Sequence, residues 1–256
     1  MQAKVCINAI RRLNMKILSI GNSFSDDAHR YLRAIAEGEG IELETLNLCI
    51  GGCSLERHAS NIKSGERAYL YHYNADVNRE DLVTLEDGIT MREWDVVTVQ
   101  QVSTHSFKED SFYPYVHEVV DYVRKKLPNA KIYIHQTWAY EWGCPRSFEI
   151  TDGKGAEYML DGLRRAYKRA KIEVGADGII PSGELMELLQ RRGAKGIYRD
   201  TFHAGYGLGR YAVSLLWFKL LTGRSVLNNS FSALDEPADE KDLAIARECV
   251  ESLSFE

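Results

Sequence analysis

The sequence predicts an α/β protein: a three-layer α/β/α sandwich built on a mainly parallel sheet of about five strands. Three observations predict it. Segments at 17–20, 41–48, 95–100, 131–136 and 178–181 have strand length; 41–48 alternates apolar and polar residues, and the run at 95–100 is nearly continuous, as a central strand buried on both faces requires. Between the runs, apolar residues recur three and four apart, the spacing of one helix face. Strands alternating with helices at this pitch imply right-handed βαβ units, with helices on both faces of the sheet.

The elements follow in order. Ile17-Leu18-Ser19-Ile20 is the first strand, and Gly21-Asn22-Ser23-Phe24-Ser25 breaks it. Residues 28–37 form a helix on Tyr31, Leu32, Ile35 and Ala36, ended by Gly38 and Gly40. Ile41 to Leu48 is the second strand. A glycine turn at 49–54 and a helix from Leu55 to about Ile62 come next. Residues 66–93 read as a hairpin-like excursion from the main sheet, with arms at 68–73 and 82–85, a polar stretch containing Asn74, Asp76 and Asn78 between them, and a short helix at 89–94. The third strand, 95–100, ends in Gln100-Gln101. A helix at 112–127 carries Val116, Val119, Val120 and Val123 on one face. Strand 131–136 opens into the aromatic loop Thr137 to Gly143. A long helix at 156–174, strand 178–181, a helix at 182–192 with Ser182 as its N-cap, an apolar helix at 204–222 stopped by Gly223, and a surface helix within 239–253 complete the chain.

Composition bounds the function. The 256 residues are 45% hydrophobic and 27% charged, enough for one large domain, and only 5 prolines and no Ser/Gly/Pro-rich tract suggest a linker. Residues 15–256 are therefore read as one domain, with 1–14 an extension outside the fold and Met15 an alternative start. The net charge of −5 argues against a nucleic-acid platform, which needs a basic face. No run approaches the roughly 20 apolar residues of a membrane span. The N-terminus lacks the apolar core of a signal peptide, and the 5 cysteines are odd in number and fit no zinc spacing. Free thiols in a reducing, cytoplasmic setting are the expectation.

In open parallel sheets, ligands bind beyond the carboxyl ends of the strands, at the point where strand order reverses. The turns after the first three strands converge there, carrying Ser23, Gly51-Gly52 and Gln100-Gln101. A serine at a strand-to-helix break is exposed near backbone N–H groups, which suits a nucleophile or an anion site. Acyl transfer at serine further needs a base, a group to orient that base, and donors for the oxyanion. Of 7 histidines, His203 stands apart: it precedes an apolar helix, with Asp200 three residues upstream.

These residues resemble the SGNH/GDSL hydrolase superfamily, and more closely a bacterial branch of it whose members are mostly uncharacterised. The resemblance spans Met15 to Gly223. Gly21-Asn22-Ser23-Phe24-Ser25 matches the first block, Gly52 the glycine of the second, and Asp200-Thr201-Phe202-His203 the last. The third block departs: Gln100-Gln101 stands where the superfamily has Gly-x-Asn-Asp. The resemblance implies an SGNH-type, flavodoxin-like fold and a serine esterase acting on small acyl esters, acetyl in particular, of a carbohydrate or other small molecule. Ser23 would be the nucleophile, His203 the base and Asp200 its orienter. The backbone N–H groups of Ser23 and Gly52 and the amide of Gln100 or Gln101 would form the oxyanion hole, with no metal or organic cofactor. Asn22 in place of Asp is expected to cost little.

Trp138 and Trp142, in the loop after the fourth strand, are candidate sugar contacts, and His58 a candidate for the pocket wall. His135 is expected as a core histidine with a satisfied hydrogen bond. A non-catalytic carbohydrate-binding member of the fold, or a doubly wound protein cradling phosphate or nucleotide on the 21–25 turn, are the alternatives.

Overall fold

The computed structural model describes residues 14–255. The segment 1–13, expected outside the fold, lies outside the described residues. Asn14 does not belong with it: it opens the first strand, paired with Glu42.

Seven strands form one sheet: β1 (Asn14–Gly21), β2 (Glu42–Cys49), β3 (Tyr69–Tyr73), β4 (Asp76–Val83), β5 (Val96–Val99), β6 (Lys131–Gln136) and β7 (Gly178–Pro181). Among the described residues ten α-helices accompany them: α1 (Ser23–His29), α2 (Leu32–Gly38), α3 (Leu55–Ser64), α4 (Leu85–Thr90), α5 (Tyr115–Lys126), α6 (Pro145–Ile150), α7 (Gly155–Val174), α8 (Ser182–Arg191), α9 (Leu208–Thr222) and α10 (Glu240–Ser252). The sheet order is β4-β3-β2-β1-β5-β6-β7. Strands β2, β1, β5, β6 and β7 run parallel, which is the predicted five-stranded core. Among the described residues, no helix is long and apolar enough to cross a membrane.

The hairpin does not leave the sheet. β3 pairs antiparallel with β2, and β4 with β3, so the sheet gains two strands at one edge. The polar stretch 74–81, read as lying between the arms, is strand from Asp76 onward. Asn74 and Ala75 alone turn the chain, both left-handed at φ 52° and 66°, the signature of a two-residue hairpin turn. An edge strand can be polar, so hydrophobicity did not reveal it. The short helix also falls earlier than expected, at α4, because Thr84 and Asp87 form a capping box there. The helix expected at 28–37 is two helices, α1 and α2.

Alternate residues of each strand face opposite sides. Leu18, Ile20, Leu46, Leu48, Val97, Val99, Ile132 and Ile134 pack into one core with α3, α5 and α7. The other face is apolar only in part: Ile17, Leu43, Val96 and Tyr133 pack under α2, α8, α9 and α10. Towards the carboxyl ends, this second face turns polar. His72, Asn47, Ser19 and Thr98 form one row of cross-strand neighbours over four strands. Ser19 Oγ meets Thr98 Oγ1 at 2.7 Å and His29 Nε2 at 2.9 Å. This polar row under α1 marks where the sheet stops being only a scaffold.

Candidate active site

The order of strands reverses between β1 and β5, and Ser23 follows β1 directly. Asn22 caps α1, its Oδ1 accepting from Phe24 N–H at 3.0 Å, and Ser23 takes the first helical position. There a helix offers its N–H no internal acceptor. α1 lies so close to β1 that a Cβ on Gly21 would sit 2.3 Å from Ser25 Oγ, so only glycine fits. The Ile50–Cys53 turn follows β2, closed by Cys53 N–H donating to the Ile50 carbonyl at 3.1 Å, with Gly52 left-handed at φ 61°.

Ser23 Oγ lies 2.8 Å from His203 Nε2, and His203 Nδ1 lies 2.7 Å from Asp200 Oδ2. Residues 180 apart in sequence thus complete a continuous hydrogen-bonded chain from serine to carboxylate. The 200–203 loop is shaped for this. Asp200 Oδ1 accepts from His203 N–H at 2.8 Å, and Thr201 is held at φ 72°, a strained setting for a β-branched residue. Glu141 N–H donates to the Thr201 carbonyl at 2.8 Å and holds that bend. The imidazole lies between Phe202 and Phe24, at ring distances of 3.9 and 5.6 Å. Burial raises the pKa of Asp200, but bonds from the His203 side chain and backbone outweigh it and hold the carboxyl below its ordinary value.

Three residues outside the sequence motifs lock this loop to α1. Asp27 is wholly buried, and its carboxylate accepts from Arg199 Nη1 at 2.8 and 3.0 Å, from Arg210 Nε at 2.8 Å and from Ala204 N–H at 3.1 Å. Arg199 also donates to the Ala204 carbonyl. The helix that carries Ser23 is therefore tied directly to the residues on both sides of His203. An acidic residue after the serine and arginines around the histidine are visible in the sequence, but nothing local pairs them.

Asn22 matters more than its reading as a neutral replacement allowed. Its Nδ2 donates to the Cys53 carbonyl at 3.3 Å, which joins the serine turn to the glycine turn. A carboxylate there could not donate.

Both glutamines depart from the oxyanion role expected of them. Gln100 is 1% exposed; its Nε2 faces Asn22 Oδ1 at 2.6 Å, and its Oε1 accepts from Ser25 Oγ at 2.6 Å and meets His135 Nδ1 at 2.8 Å. Gln101 Nε2 donates to the Ser111 carbonyl at 2.8 Å, and its Oε1 accepts from Leu55 and Val102 N–H. Buried amides satisfy the backbone and each other before they serve a cleft. His135 is the satisfied core histidine expected, its Nε2 3.1 Å from Ser182 Oγ. That bond takes Ser182 away from the N-cap role, and Pro181 stands at the cap instead.

The aromatic candidates also move. Trp138 is fully buried; it packs on Phe24 at 4.3 Å and donates its indole N–H to the Phe202 carbonyl at 2.7 Å. It supports the histidine loop from below. Trp142 is partly exposed, but it borders a separate surface hollow with Gln190 and Lys195. His58 is fully buried beside Tyr69 Oη at 3.0 Å, and burial pushes its pKa down to about 3.

A cleft of about 770 Å³ opens at Ser23. Its walls carry Asp26, Asn47, Cys49 and His72 on one side and Arg30, Tyr206, Arg210 and Asp235 on the other. The four described cysteines are free and buried.

The three-layer architecture is that of the SGNH hydrolases. Within that fold, the chain belongs to the family described as "Domain of unknown function (DUF4886)", which matches residues 16–251. A crystal structure of a DUF4886 family protein from Bacteroides uniformis is 34% identical, covers 93% of each chain and superposes with a TM-score of 0.85. A protein from Slackia heliotrinireducens, provisionally assigned as an SGNH hydrolase, is 19% identical over 80% of this chain and 98% of its own, with a TM-score of 0.56. An acetyl xylan esterase from Geobacillus stearothermophilus is 12% identical over 81% of this chain and 94% of its own, with a TM-score of 0.50. No curated protein matches the sequence.

Proposed function

We propose that the protein is a serine ester hydrolase of SGNH type that removes short acyl groups, acetyl in particular, from a small polar alcohol such as a sugar. The observation that carries this is the continuous chain Ser23 Oγ–His203 Nε2 and Nδ1–Asp200, at 2.8 and 2.7 Å, beside an open cleft. His203 takes the proton of Ser23 as Oγ attacks the ester carbonyl, and Asp200 holds the imidazole in the tautomer that can accept it. The oxyanion falls to the Ser23 and Gly52 N–H groups, since both glutamine amides are engaged elsewhere. His203 then protonates the leaving alcohol, and water repeats the cycle to release the acid.

The charged and hydrogen-bonding side chains of Asp26, Arg30, Asn47, His72, Arg210 and Asp235 around the cleft offer partners to the hydroxyls of a polyol. With Trp138 buried, the sugar preference rests on these groups and not on an aromatic platform. The test is turnover of short aryl esters and acetylated sugars by the wild type and by Ser23→Ala. The wild type is expected to hydrolyse acetyl esters faster than long-chain esters, and the variant to lose about 10³-fold or more. Wild-type protein inert towards every short ester, or a variant as active as its parent, would sink the reading.

A further inference from the structure

Asp26, Cys49 and His72 come from three different elements, α1, β2 and β3, and meet on one wall of the cleft. Sheet geometry explains why. Asn47 and Cys49 are two apart on β2 and share a face, and His72 is the direct cross-strand partner of Asn47. All three look up at Asp26 on α1. Asp26 Oδ1 lies 2.7 Å from His72 Nδ1, and Asp26 Oδ2 accepts from Cys49 Sγ at 3.3 Å. The carboxylate oxygen, the thiol sulfur and an imidazole nitrogen lie within 4.8 Å of one another. Asn47 Nδ2 donates to Asp26 Oδ1 at 2.6 Å and fixes the carboxylate from outside the trio.

We propose that Asp26, Cys49 and His72 form a binding site for a single zinc-class ion, open to the cleft at its remaining position. A thiolate, an imidazole and a carboxylate are the donors this ion prefers, and hard cations such as magnesium have no use for the first. Tetrahedral zinc spaces such donors by about 3.3–3.6 Å, so the trio must adjust by on the order of 1 Å. The charges also close: carboxylate and thiolate together balance one divalent ion in a poorly solvated wall.

Binding displaces one proton. Zn²⁺ takes the place of the Cys49 thiol proton, which leaves to solvent, and the Nδ1 proton of His72 passes to Nε2. Among the described residues His72 Nε2 is buried without a hydrogen-bond partner, so the change of tautomer breaks no bond on that side and leaves one buried N–H to be paired. The site shares the cleft with Ser23 but stands whether or not Ser23 is a nucleophile.

The experiment uses the full chain, free of any tag and stripped with chelator. Zn²⁺ is titrated by calorimetry and Co²⁺ by absorbance. The expected result is one ion per chain, a binding enthalpy that varies with buffer ionisation, and a near-ultraviolet thiolate-to-cobalt band. Cys49→Ser should abolish the band, and both Cys49→Ser and His72→Gln should weaken Zn²⁺ by at least about tenfold. Cys53→Ser, outside the trio, should keep both signals. Circular dichroism on each variant separates loss of binding from loss of fold, and either ligand variant suffices if the other does not fold. No saturable binding by the folded wild type, a cobalt spectrum without the thiolate band, or unchanged affinity in a folded ligand variant overturns the site.

Discussion

Two aspartate–histidine pairs stand near Ser23, and both join through Nδ1 at 2.7 Å. In each, burial raises the carboxyl pKa while bonds from the histidine outweigh it and hold it down. Electrostatics alone does not tell them apart. The far nitrogen does: His203 Nε2 faces Ser23 Oγ, whereas His72 Nε2 meets no partner among the described residues. The pairs are also built differently. Asp200 and His203 share one bent loop, three residues apart, while Asp26 and His72 are brought together by the sheet edge and α1. A carboxylate beside an imidazole is therefore not a catalytic unit in itself. What the second nitrogen meets decides its chemistry.

The sharpest way to test that contrast is to remove each ring in turn. His203→Gln should lower kcat/KM for a short acyl ester by about 10³-fold or more, because the proposed base is lost. His72→Gln should cost no more than about tenfold, the worth of one hydrogen-bonded wall contact. Equal losses would erase the distinction.

A smaller effect, on stability, probes how the first pair is held. Asp27→Asn leaves Arg199 and Arg210 partly unpaired in the interior, so the urea-unfolding free energy should drop by about 3–5 kcal/mol. The Arg33–Glu37 pair is half exposed, and Glu37→Gln should cost no more than about 1 kcal/mol. A harmless Asp27→Asn would mean that the loop of His203 is held by something other than the buried clamp.

A dependence on pH separates both pairs from histidines that serve only the core. Burial lowers the pKa of His58 and His135 to about 3. The unfolded chain binds those protons below its own histidine pKa of about 6.5, while the folded chain does not, so stability falls as pH drops below that value. Each ring should add a slope of about 1.4 kcal/mol per pH unit. The depressed pKa of Asp200 acts elsewhere: its contribution is complete above the ordinary carboxylate range and disappears only as pH falls through the lowered value. Urea midpoints between pH 7 and pH 5 should therefore follow the buried rings, and His58→Gln should flatten the curve. A curve of unchanged slope in that variant would mean that His58 titrates alike in both states.

The sequence showed the serine and the Asp200–His203 pair because each lies in a short motif next to a regular element. Local spacing and strand ends that periodicity locates place each of them, although the contact between them spans 180 residues. The glutamines failed for the opposite reason. Where Gln100 points is set by Asn22, Ser25 and His135, which arrive from β1, α1 and β6, and no local pattern records that meeting. Trp138 misled in the same way: a tryptophan in a loop reads as exposed until Phe24 and the 200–203 loop close over it. The clamp on Asp27 and the trio on Asp26 are neighbours in sequence with unrelated partners, because successive residues of α1 point in different directions.

The β3–β4 hairpin has one more consequence. Leu70 and His72 on β3 and Ala75 in its turn line the cleft, yet the hairpin contributes nothing to the Ser23–His203–Asp200 chain. The Asp27 clamp and the bent 200–203 loop hold the distances along that chain, while the two outboard strands border the mouth of the cleft. Lengthening or trimming the hairpin would resize the opening and leave the Ser23–His203–Asp200 contacts as they stand, so the width of the cleft and the hydrogen-bonded chain belong to separately adjustable parts of the fold.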